Sequence, residues 1–157
     1  MDDISNLYKM LSWHSSPDEQ LRGIELAGNI DDLSLLILPC ANGAGKSIWD
    51  NCAKALYEIS DDRLEKHLPS LLEWIQDLNW PGALLILDRL KTFSGKKLKV
   101  PFVDLCTYAI GLNNEEGFMW LDNLSELLDN EELRAELPKP IAETLQKHYK
   151  NWGFWGD

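Results

Sequence analysis

Leu68-Pro69-Ser70-Leu71-Leu72-Glu73-Trp74-Ile75-Gln76-Asp77-Leu78-Asn79-Trp80-Pro81-Gly82-Ala83 is the stretch that decides the fold. Proline is tolerated in the first turn of a helix, where its missing N–H would have no partner, so Pro69 reads as a helix start. Leu71, Leu72, Trp74, Ile75 and Leu78 follow at helical spacing, and Asn79-Trp80 lead to Pro81, which opens another helix. The stretch predicts a corner between two helices, pinned by two tryptophans. Chains of stacked helix pairs need corners of this kind.

Upstream, Ile4, Leu7, Tyr8 and Leu11 mark an amphipathic helix, and Ser16-Pro17-Asp18-Glu19 is a capping box for a second one through Leu21, Ile24 and Ala27. Gly28-Asn29 ends it. A third is predicted from Asp31-Asp32-Leu33 to Leu38, stopped by Pro39, and Cys40 to Gly45 forms a loop rich in small residues. A fourth starts near Ser47 and carries Ile48, Trp49, Cys52, Ala53, Leu56 and Ile59, and Ser60-Asp61-Asp62 caps a short turn through Leu64 and Leu68. Downstream, helices are predicted over Pro81 to Phe93, Pro101 to Leu112, Asn114 to Leu128 and Pro140 to about Lys150, with a basic loop at Ser94-Gly95-Lys96-Lys97. Period-two alternation with β-branched enrichment is absent, which argues against a sheet.

A shift of thirty residues aligns Leu26 with Leu56, Asp31-Asp32 with Asp61-Asp62, and Leu38-Pro39 with Leu68-Pro69. Each copy would be a helix, an acidic capping turn, an apolar stretch and a proline stop. Repeats of this size mark solenoids of helix pairs, each unit burying its face on the next. The expected fold is all-α, a HEAT/armadillo-like helical-repeat solenoid. Residues 1–157 are expected to form a single domain with a short aromatic tail over 151–157.

The formal net charge of −11 is unevenly spread. Residues 1–78 carry −8, residues 79–112 carry +3, and residues 113–157 carry −6. Such a chain repels nucleic acid and anionic membranes and attracts cationic partners. No apolar run approaches the length of a membrane span, and Met1-Asp2-Asp3 lacks the basic start of a signal peptide, so a soluble cytoplasmic protein is expected. Cys40, Cys52 and Cys106 are widely spaced within apolar helical patterns and read as buried thiols of a reducing compartment.

One motif imitates nucleotide-binding chemistry. Leu35 to Ser47 resembles a strand running into a phosphate loop that ends Gly45-Lys46-Ser47, and Leu84 to Asp88 resembles a magnesium-holding strand. A phosphate loop needs a glycine separated by four residues from Gly-Lys-Ser, so that backbone N–H groups can surround the phosphates. That position is Cys40. The surrounding chain supplies no alternation of strands and helices to build the required sheet. His14, His67 and His148 are too scattered for a metal site, and Glu73 and Asp77, one turn apart, read as a solvated helix side. No serine or cysteine stands in a nucleophile setting. The expectation is a non-enzymatic protein without a cofactor or metal.

Tryptophan is the unusual ingredient. Trp49, Trp74 and Trp80 fall where helical periodicity points inward, whereas Trp120, beside Asp122 and near Glu115-Glu116, and the tail residues Trp152 and Trp155 are expected to be partly exposed. Exposed tryptophan among acids suits binding, because aromatics anchor and carboxylates select a cationic partner.

The string Leu71-Leu72-Glu73-Trp74-Ile75-Gln76-Asp77-Leu78-Asn79-Trp80-Pro81-Gly82-Ala83, with Trp49 and Leu64 upstream, resembles the signature of a small bacterial family of unknown function, over roughly residues 45–95. The resemblance implies HEAT-like helical architecture and no known catalytic residues. Small acidic helical proteins of this kind also resemble immunity proteins encoded beside polymorphic or contact-dependent growth-inhibition toxins, which are often cationic nucleases. The expected function is a protein-binding module, an immunity protein that neutralises a basic toxin domain by direct acidic docking and is monomeric beforehand. The expected docking residues are Glu115, Glu116, Trp120, Asp122, Glu126, Asp61 and Asp62. A helical scaffold of bacterial housekeeping is the alternative, and a nucleotide-binding protein using Gly45, Lys46, Ser47 and Asp88 is the third reading.

Overall fold

Tryptophan packing shapes the corner on which the rest of the chain is hung. In the computed structural model, which describes residues 3–39 and 45–148, Trp49 lies edge-on to both Trp74 (5.9 Å between ring centroids) and Trp80 (5.7 Å). The Trp74 indole N–H donates to the Pro81 carbonyl and that of Trp49 to the Pro39 carbonyl, so each buried ring has its polar atom satisfied. Gly82 turns the chain at φ +80°. A Cβ there would come within 2.8 Å of both the Ala53 Cβ and the Trp49 carbonyl oxygen, so the turn needs glycine for conformation and for space.

Among the described residues there is no strand, and the fold is all-helical. The α-helices are α1 (Asp3–Leu11), α2 (Pro17–Ala27), α3 (Trp49–Tyr57), α4 (Asp61–Leu64), α5 (Leu68–Trp74), α6 (Ala83–Leu90), α7 (Gly95–Leu112), α8 (Glu115–Leu124), α9 (Glu131–Glu136) and α10 (Lys139–His148). Neighbours along the chain pack in turn, α1 on α2, α2 on α3 and α7 on α8, while α3 meets α6 and α5 meets α7 across the corner. One apolar cluster runs through all of them, from Leu7 to Leu145.

Local capping explains most boundaries. Ser16, Ser60, Ser94, Asn114 and Asn130 each accept a hydrogen bond from the N–H three residues on, at the starts of α2, α4, α7, α8 and α9. The opposite ends are tied by donors from later helices. Asn51 donates to the Leu11 carbonyl, Arg63 to Gly28 and Ile30, Arg89 to Ile59, Asn123 to Ile75 and Gln76, and Asn130 to Phe93. Carbonyls that helix ends leave open are thus closed by side chains from elsewhere in the chain.

Several expectations are corrected here. The predicted helix after Asp31 is only a 3-10 turn, Leu33–Leu36, because Asp32 caps Ser34 and the chain reverses at Leu38 with φ +48°. Pro101 does not open a helix. It sits inside α7, whose capped first turn is the supposed basic loop Ser94–Lys97. The helix after Asn114 narrows to a 3-10 turn, Ser125–Asp129, and α9 follows where none was predicted. The thirty-residue echo does not extend to burial: Leu56 is fully buried but Leu26 is 49% exposed, and Leu68 is helical where Leu38 is left-handed. The loop 40–44 with Cys40, the tail 151–157 with Trp152 and Trp155, Lys150 and the side chain of His148 lie outside the described residues.

Candidate functional site

The charge pattern of the sequence becomes a set of cross-links. The basic middle segment is paired with acids on either side of it: Arg89 with Asp61 at 2.6 Å, Lys97 with Asp62 at 3.4 Å and Glu65 at 3.5 Å, Lys91 with Asp129 at 3.9 Å, and Lys99 with Glu136 at 3.2 Å. Arg89 is buried, stacks over the Phe93 ring at 4.9 Å and also donates to the Ile59 carbonyl. Asp61 and Asp62, two of the expected docking residues, are therefore engaged within the fold. Helix α4 places them over α6 and the start of α7.

The other five separate by helical phase. Trp120 is 3% exposed, its indole N–H donates to the Leu72 carbonyl, and its ring meets Tyr108 edge-on at 5.9 Å. It is a core residue, not an exposed anchor, because it shares a face of α8 with buried Gly117, Leu121 and Leu124. Glu115 and Asp122 are exposed on the opposite face with Met119, and Glu126 is half-buried just beyond the helix. Glu116 is exposed one turn before Trp120, on the side facing α5. None of these four carboxylates forms an ion pair with a described Lys or Arg.

Where α5, α7 and α8 meet, an open cavity of about 450 Å³ is lined by Glu73, Gln76, Asp104, Leu105, Tyr108 and Trp120. Trp120 closes its floor and Tyr108, 60% exposed, stands at its edge. Glu73 is exposed, as expected of a solvated helix side, and borders the cavity, while Asp77 is half-buried and accepts the Asn79 N–H at the corner. Gln76 donates its amide to the Glu73 carbonyl at 2.9 Å, so its Oε1 remains as an acceptor. A second depression of about 380 Å³ shares Asp104 and continues along α7 past Val100 to Lys96 and Lys97. Asp104 and Tyr108 escaped the sequence reading. They stand about one turn apart on α7, but Glu73 reaches them only through the packing of α5 on α7.

Beside the signature turn, a third hollow of about 500 Å³ is bordered by Asp50, Lys54, Asn79, Trp80 and Leu84. Among the described residues the imitation phosphate loop has no strand: Leu33–Leu36 and Gly45–Ile48 are 3-10 turns, and Leu84 to Asp88 belong to α6. Lys46 lies over the Trp49 and Trp80 rings, 5.4 Å from each centroid. Burial pushes the Cys52 thiol up to about 12 and raises that of Cys106 as well. Both are protonated packing residues. Among the described residues no three His, Cys, Asp or Glu side chains gather as metal ligands, and no helix is long and apolar enough to cross a membrane.

No curated protein and no solved structure matches the chain. Residues 48–151 match a domain of unknown function, DUF5071, over a span that holds both the tryptophan corner and the cavity between α5, α7 and α8. On that match the chain belongs to the DUF5071 family.

Proposed function

We propose that this protein is a non-enzymatic binding module whose partner is a cationic protein domain, and that it acts as an immunity protein toward a basic bacterial toxin. One observation carries the reading. Four of the five cations of the middle segment, Arg89, Lys91, Lys97 and Lys99, are held by internal ion pairs, whereas Glu115, Glu116 and Asp122 are exposed without one, as are Glu73 and Asp104 at the cavity. Carboxylates already fixed to a neighbour have little left for a partner. Free ones on a rigid helical face steer and select basic surfaces.

Docking would lay α8 and the adjoining cavity against the Lys and Arg residues with which a nuclease grips phosphates, so that nucleic acid is excluded by occupancy. The neighbour-on-neighbour packing of α1, α2 and α3, and of α7 and α8, is compatible with a HEAT-like stacking of helix pairs, and this reading adopts it. Asp61, which holds Arg89, and Trp120, which is buried, are left out of the docking set, whereas Asp62, 92% exposed beside Lys97, remains open to a partner.

The test pairs the protein with a basic toxin domain encoded beside it. Calorimetric titrations from low to high salt are expected to show affinity falling steeply, and stopped-flow mixing to place most of the loss in the association rate. The triple variant Glu115→Lys, Asp122→Lys, Glu126→Lys is expected to lose protection of toxin-expressing cells. Protection by that variant equal to the parent's, or an affinity indifferent to salt, refutes electrostatic docking and favours the scaffold reading.

A further inference from the structure

We propose that the cavity between α5, α7 and α8 is a socket for one arginine side chain of the partner; this deepens, and rests on, the reading of a cationic partner. Four observations converge. The lining offers acceptors and no competing cation: the carboxylates of Glu73 and Asp104 and the remaining oxygen of Gln76. Neither carboxylate forms an ion pair with a described Lys or Arg. Tyr108 packs edge-on against the buried Trp120, so an aromatic face stands at the cavity's edge. At about 450 Å³ the space is within the size of small-ligand pockets and well above what one water needs.

Guanidinium matches this lining better than ammonium does. It is planar, so it can stack on a phenol face, and its five N–H donors can reach two carboxylates and an amide oxygen at once. Its aliphatic stem would cover Leu105. Trp120, whose own N–H is spent on the Leu72 carbonyl, contributes only surface to the floor. An anionic group would be repelled by the two carboxylates, and a neutral one would leave their charge uncompensated.

Titration of Nα-acetyl-arginine amide into the ¹⁵N-labelled full chain, followed by amide shifts, tests the socket. Saturable shifts centred on Glu73, Gln76, Asp104 and Tyr108 are expected. The near-isosteric double variant Glu73→Gln, Asp104→Asn should weaken binding by about tenfold or more, and Tyr108→Ala by roughly threefold. Glu25→Gln, exposed on α2 and outside the cavity lining, should leave it unchanged, and Nα-acetyl-lysine amide should bind several-fold more weakly. Equal binding of both probes, shifts spread evenly over the acidic surface, or indifference to the double variant overturns the proposal. A thermal melt shows whether each variant is folded, and Glu73→Gln alone serves should the double variant fail. Failure of the parent reading is separate: arginine binding at this cavity without any cationic partner sinks the immunity role and keeps the socket. Capture of such a partner with full affinity by the double variant sinks the socket alone.

Discussion

At the scale of single residues, two glycines make opposite demands. Gly82 has φ +80° and no room for a Cβ, whereas Gly111 lies exposed in α7 with nothing within 4 Å of an added Cβ. Gly82→Ala is expected to cost about 2 kcal/mol or more, and Gly111→Ala to add about 0.5–1 kcal/mol, as read from urea unfolding curves. His67 supplies a pH dependence. It is half-buried, its Nε2 has no hydrogen-bond partner, and burial and then the Lys66 ammonium hold its pKa below the ordinary 6.5, with Asp32 opposing. The unfolded chain therefore takes up a proton first as pH falls. Stability is full above the ordinary histidine value, declines below it, and levels off once the folded value is passed. Unfolding measured from pH 8 to pH 5 should show that decline in the parent and a flatter profile in His67→Gln. Asp32 is lowered by its hydrogen bonds from Ser34, so its contribution is present above the ordinary carboxylate value of 3.8 and is lost as pH falls below it.

At the scale of elements, the ion pair between α4 and α6 illustrates how burial sets the value of a charge. Arg89 is buried, so removing its carboxylate in Asp61→Ala is expected to lower stability by about 1–2 kcal/mol. Asp62 is 92% exposed where it meets Lys97, and Asp62→Ala should leave the thermal melt nearly unmoved. The elements themselves were legible to unequal degrees. Trp74, Trp80 and Pro81 announced their corner, because rare residues at fixed spacing admit few geometries. Pro101 misled, since a proline usually opens a helix, but the Ser94 cap seven residues earlier had already started α7. The signal for α9, Asn130 before Glu131-Glu132, was present in a segment whose single buried leucine, Leu133, is too little for periodicity to register. Trp120 was misread through its acidic neighbours in sequence, although Gly117, Leu121 and Leu124 placed it on the inner face. Glu73 with Asp104 had no signal at all, because only the packing of α5 on α7 joins them.

At the scale of the whole molecule, cohesion comes from ties between distant segments more than from helices able to stand alone. α4 has four residues and α5 seven, below the length at which isolated helices persist in water. The ties cross the edge of the family match at residue 48. Asn51 reaches back to the Leu11 carbonyl and to Gln20, and Arg63 to Gly28 and Ile30, while Leu7, Leu11 and Leu36 share one cluster with Leu56 and Trp74. The homologous portion is thus not a detachable unit. A peptide spanning 48–151 alone would bare the flank of α3 and orphan the Asn51 amide, and dispersed amide resonances from such a truncation would contradict this account. Anyone trimming this protein to a smaller folded unit should shorten it from within its loops and keep the first two helices.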